Sequence, residues 1–145
     1  MFFSLAAATA FLFLVALGPG LYGGKSFWMY DFYSHLCHQD PHRSFTLNGI
    51  QMAVCARCLG IYSFLFLGWI SMPVFTLLKF NKRKWLIGFL IVAIGLNLAD
   101  ILGNNFDFWT NTHYSRFVLG SLFGLSIATL LTTDFFKLNK IGTYG

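Results

Sequence analysis

The sequence has no glutamate, and its acidic residues are five aspartates spread from Asp31 to Asp134. Charged residues of both signs make up 10% of the chain, against about 25% in soluble domains. So few charges cannot cover a water-facing surface, which excludes an ordinary soluble domain. Cysteines number three, an odd count that excludes a simple disulfide framework and leaves one thiol over. No basic segment precedes the first apolar run, so no cleaved signal peptide is expected, and that run reads as a membrane helix kept in the mature protein. No His-Glu-x-x-His motif is present, and no internal repeat or low-complexity segment.

What the chain has instead is apolar length. Hydrophobic residues make up 57% of its 145 positions, 18 of them phenylalanine. Phenylalanine is favourable in hydrocarbon, where a carboxylate is not. The reading is a single all-α domain, an integral membrane bundle of about four helices, at 2–22, 49–78, 85–102 and 113–131, with an outer loop over 23–48. The second run exceeds what a bilayer requires, so tilt or an interfacial first turn is expected. Trp28, Tyr30 and Tyr33 place the long loop at the interface.

The net charge is +5, but the basic residues do not line a face or groove, so nucleic acid is not an expected partner. They mark topology. Lys79, Lys82, Arg83, Lys84, Lys137 and Lys140 fall on one side of four spans, and Lys25, Arg43, Arg57 and Arg116 on the other. The positive-inside rule then puts both termini in the cytoplasm of a cell with the chain in its inner membrane. The lipid bilayer is the expected surround, with other membrane protein subunits as possible partners.

The chemistry-bearing residues crowd together. Cys37 precedes a Cys-x-x-Cys pair, Cys55 and Cys58, and His35, His38 and His42 lie in the same outer loop. On a helix, Cys55 and Cys58 share a face at i and i+3, with Gln51 and Tyr62 on the same stripe. Three thiolates and one imidazole form a familiar tetrahedral zinc set. Cys37, His38, Cys55 and Cys58 are therefore the expected ligands, with His35, His42 and His113 competing for the fourth position. A bland alternative is buried thiols acting as small hydrophobes. A sharper one is a thiol-disulfide oxidoreductase using Cys55 and Cys58, with Cys37 as partner. Arg57 and a helix N-terminus would lower a thiolate pKa in either case.

Asn97, Asp100 and Asn104 form a polar stripe on the third helix, and Arg116 sits one turn into the fourth. Ionised groups in a membrane normally pair or line a wet cavity. Asp100 and Arg116 are expected to meet, as a structural fastener or as the floor of a polar pocket below the cysteines. They are also the candidate catalytic residues of a third reading, a metal-dependent hydrolase with Asp100 as general base. Gly120 and Gly124 mark a close helix approach, to another helix of this chain or to a second subunit.

Cys37-His38-Gln39-x-Pro41-x-Arg43-Ser44-Phe45, followed by Gly49 and by Cys55-x-Arg57-Cys58-x-Gly60-Ile61-Tyr62, resembles the signature of a family of small bacterial and archaeal membrane proteins of unknown function. The resemblance continues through Asp100, Asn111, Arg116, Gly120 and Gly124 and covers about three quarters of the chain. It implies a membrane fold with a shared polar site and supplies no activity. One departure is Ile101, where the family pattern leads to an expectation of glycine.

Overall fold

A computed structural model describes residues 2–23, 27–71 and 83–141, with side chains at 4–23, 27–71 and 83–131. Its elements are helix α1 (Phe2–Tyr22), helix α2 (Phe27–Ser34), a 3-10 turn (Pro41–Arg43), strands β1 (Thr46–Leu47) and β2 (Ile50–Gln51), and helices α3 (Ala56–Ile70), α4 (Arg83–Asn105) and α5 (His113–Ile141). The chain is an all-α membrane bundle carrying one small antiparallel hairpin. Three stretches, Ser4–Tyr22, Arg83–Asn105 and His113–Leu131, are long and apolar enough to cross a membrane. The second expected span, at 49–78, contains the apolar α3, and its stretch over 72–78 lies outside the described residues, as do Lys79 and Lys82.

Packing runs in the order α1, α3, α5, α4, with α3 against α5 as the main interface. Small residues make that interface possible. A Cβ on Gly120 would run into the Arg57 carbonyl oxygen, and one on Gly124 into that of Ile61. From the other side, a Cβ on Gly60 would meet the Phe117 carbonyl oxygen. The Gly120-x-x-x-Gly124 stripe therefore seats an internal helix. α4 packs chiefly on α5 and turns Ile91, Val92, Ile94, Leu98 and Leu102 outward, a surface suited to lipid.

Three element boundaries differ from the sequence expectation. The loop over 23–48 contains a helix, α2, whose Met29 and Tyr33 are buried. The stretch from 49 to 54 is not helical, because Asn48 and Gly49 both take positive φ (54° and 77°) and turn the chain into β1–β2. That is the backbone a tight two-residue hairpin requires, and asparagine and glycine adopt it most readily. α3 consequently starts at Ala56 with Cys55 as its N-cap residue. Finally, α5 continues to Ile141 rather than ending near 131; no proline or glycine stands between Thr132 and Ile141 to stop it.

A hydrophobic core lies beneath the hairpin. Val15 and Ala16 of α1 meet Met29 and Tyr33 of α2, Cys37, the buried run Met52-Ala53-Val54, and Leu59 of α3. This core forces the loop over 35–55 down onto the helix ends, which is what positions the cysteines.

Candidate metal centre and its polar neighbours

Cys37 enters the site from a tight turn at the end of α2, where its amide donates to the Tyr33 carbonyl oxygen at 2.8 Å. Two residues on, Gln39 holds positive φ (51°), a backbone uncommon for any residue other than glycine. Its side chain compensates: the Gln39 amide nitrogen donates to the Tyr30 carbonyl oxygen at 2.6 Å. The Gln51 amide in turn donates to the Gln39 carbonyl oxygen at 2.6 Å, and the Tyr30 hydroxyl donates to the Gln51 carbonyl oxygen at 2.5 Å. Tyr30, Gln39 and Gln51 thus close a ring that fixes α2, the cysteine loop and the hairpin to one another. Gln51 sits on β2, not on the helical stripe expected for it, and its task is to hold this ring.

The turn is finished by Asp40, whose carboxylate accepts the His42 amide at 3.0 Å and the Arg43 guanidinium at 3.0 Å. Pro41 starts the 3-10 turn, where its missing N–H is no loss. The Cys-His-Gln-Asp-Pro segment is therefore a self-capped turn that aims Cys37 inward.

Cys55 and Cys58 come from the N-cap and first turn of α3. The Cys55 amide donates to the Cys37 sulfur at 3.3 Å. All three sulfurs lie within 4.8 Å of one another, and none forms a disulfide. Four-coordinate zinc with Zn–S bonds of about 2.3 Å separates its sulfurs by about 3.8 Å. A contraction of at most about 1 Å brings the three to that spacing, so the donor set fits a soft, thiophilic ion. Hydrogen bonds from the Cys55 and Cys58 thiols hold Cys37 well below the ordinary thiol range. Packed so closely, the sulfurs share protons, with one of them favoured as thiolate.

Among the described residues the close group contains no histidine. His38 follows Cys37 and is exposed. His35 is exposed and its Nδ1 lies 3.1 Å from the Ser34 hydroxyl. His42 is exposed in the 3-10 turn, and the His113 ring stands against Phe45 with 5.7 Å between centroids.

Tyr62, on the cysteine stripe as expected, has a neighbour that sequence reading missed. Tyr33 is fully buried, packs its ring tilted against that of Tyr62 with 5.6 Å between centroids, and donates its hydroxyl to the Leu12 carbonyl oxygen. Burial pushes the Tyr33 phenol up, so it stays neutral. No spacing rule separates such a tyrosine from the interfacial aromatics around it.

The expected pairing of Asp100 with Arg116 is not the one formed. Asp100 pairs with Arg57, which reaches from the first turn of α3 to α4. The Asn111 amide donates to the same Asp100 carboxylate oxygen at 2.7 Å, and lies 3.3 Å from its carbonyl oxygen. The reason is positional. Arg57 belongs to the helix start that packs on α5 beside Gly120, and its long side chain spans the remaining distance to α4. Asn97 secures the same helix by donating to the Leu119 carbonyl oxygen at 3.0 Å. Ile101 is exposed, so the side chain standing where glycine was expected leaves the Asp100 contacts in place.

This arrangement defines the class: a helical membrane protein with a three-cysteine cluster and an Arg–Asp–Asn network at one end of its bundle. Residues 37–130 match the family described as "Predicted membrane protein (DUF2085)". The chain belongs to that family. It is also similar to the uncharacterized protein MJ1492 of Methanocaldococcus jannaschii, at 34% identity over 122 residues, covering 79% of this chain and 76% of the relative. No solved structure matches the chain. The matched span begins at Cys37 and takes in the cysteine cluster, the Arg57–Asp100 pair and Arg116.

Proposed function

We propose that the protein is a zinc-binding membrane protein whose metal centre lies at the outer face of the cytoplasmic membrane. The observation that carries this reading is the convergence of the Cys37, Cys55 and Cys58 sulfurs within 4.8 Å, from two segments eighteen residues apart in the chain. His38 is the first candidate for the fourth ligand, because it adjoins Cys37 and is exposed, free to swing toward an arriving ion. The bound ion would supply a rigid crosslink between the outer loop and α3. The outer placement follows from the basic residues at 79–84 and in the tail, with both termini cytoplasmic.

The outer part of the chain amounts to the segment over 23–55 and the short link over 106–112, packed down on the helix ends, which favours a binding or accessory role in a larger membrane complex over catalysis on a bulky substrate. The Asp100 carboxylate already accepts from Arg57 and Asn111, which disfavours it as a general base. Three unbridged thiols at this spacing also fit an oxidoreductase, and the test separates the two. Elemental analysis with thiol counting on the purified protein should give about one zinc per chain, and Cys55→Ser should lower it. Absence of metal, with a Cys55–Cys58 disulfide that forms and breaks with quinone or thiol reagents, would favour the oxidoreductase.

A further inference from the structure

Beside the cysteine cluster three arginines converge and the acidic side chains run out. Arg43 is taken by Asp40 and Arg57 by Asp100. Arg116 makes no side-chain hydrogen bond or ion pair among the described residues, and its Nε is buried. The Nε of Arg57 is likewise buried and without a partner, since its ion pair uses the Nη2 end. Asp31 and Asp107 are exposed and pair with neither. Asp134 lies eighteen residues further along α5, about 27 Å away at the helical rise.

Arg57 and Arg116 stand on facing first turns of α3 and α5. Arg116 stands one turn before Gly120 on α5, and Gly120 sits against the backbone of Arg57. The nearby acidic groups Asp40 and Asp100 are already paired, with Arg43 and Arg57 respectively. The local sum is three positive charges against two negative. A surplus guanidinium in a poorly solvating segment is costly unless an anion meets it.

We propose that Arg57 and Arg116 form a binding site for a phosphate group. Arg116 presents a whole fork of N–H donors matched to oxyanions, and Arg57 keeps the Nε side of its own while Nη2 holds Asp100; donors from two helices call for an anion with three or more oxygens. Both arginines lie in the first turns of their helices, at the end of the bundle that carries the hairpin, where headgroup phosphates gather if that end meets the membrane surface. The phosphate is either that of a phospholipid headgroup or a free phosphate from solution. The site stands on the arginines and owes nothing to the sulfurs, so it holds whether or not a metal binds.

The test is thermal unfolding of the full chain in a phosphate-free maltoside detergent. Inorganic phosphate and phosphatidylglycerol are added separately, each against chloride at matched ionic strength. Stabilisation by inorganic phosphate assigns the free anion; stabilisation by phosphatidylglycerol alone assigns the headgroup. In either case Arg116→Gln should weaken the effect at least about tenfold and Arg116→Lys less, since a charge-assisted hydrogen bond is lost. No stabilisation of the wild-type chain by either probe beyond chloride overturns the proposal. So does equal stabilisation of a folded Arg116→Gln variant.

Discussion

Arg57 and Asp100 form an ion pair that ties the first turn of α3 to the buried polar face of α4, with Asn111 closing over the same carboxylate. α4 otherwise packs chiefly on α5, so this pair is its fastening to the side of the bundle that carries the cysteines. Arg57 also sits between Cys55 and Cys58 in the chain, so the pair and the sulfur cluster share one helical turn.

Breaking that pair from one side should be costly. Asp100→Asn leaves the Arg57 charge facing a neutral amide and is expected to destabilise the protein by about 3 kcal/mol. Replacing both residues by leucine should recover more than half of that loss. Denaturant unfolding in micelles measures both, and additive losses in the double variant would contradict the pairing.

The α3–α5 seam predicts a contrast between glycines. Gly120→Leu forces a side chain into the Arg57 backbone and should cost upward of about 3 kcal/mol or prevent folding. Gly95→Ala on α4 meets nothing within 4 Å and should be neutral or slightly stabilising. Equal effects at the two positions, read by thermal midpoint, would contradict the seam.

Tyr33 gives a prediction in pH. Its phenol is pushed up by burial, so the folded state holds the proton more tightly than the unfolded state. Its contribution is complete below the unfolded value of about 10 and is lost as pH rises above it. Tyr33→Phe should cost about 1 kcal/mol at neutral pH through the lost bond to Leu12, and should flatten the alkaline fall in stability. An unchanged alkaline limb would show that other groups govern it.

The sequence disclosed the helical membrane class through its missing glutamates and apolar runs, and the cysteine cluster through its spacing. It disclosed less of how the cluster is held. Asn48-Gly49 is a strong hairpin signal, yet the apolar residues after it read equally well as the start of a helix. That ambiguity moved Gln51 onto a stripe it does not occupy. Arg57 was legible as a charge near the thiols, but not as the partner of Asp100, because the choice depends on how closely Gly60 and Gly120 let α3 approach α5. Helix α2 is two turns long, and its burial of Tyr33 depends on a core assembled from α1, the hairpin and α3.

Topology follows from charge placement. Reporter fusions at Gly145 and at Lys82 should both score as cytoplasmic, since the basic residues cluster there. A C-terminal reporter active only outside would move the cysteine cluster to the cytoplasmic face.

The central claim is that the three sulfurs hold one zinc ion, and X-ray absorption at the zinc edge tests it most directly. The purified protein should show three sulfur neighbours at about 2.3 Å and one nitrogen or oxygen at about 2.0–2.1 Å. His38→Ala should alter the lighter shell alone, and acidification should release the ion as protons compete for the sulfurs. A protein without stoichiometric zinc, in which two of Cys37, Cys55 and Cys58 are joined as a disulfide, would contradict it.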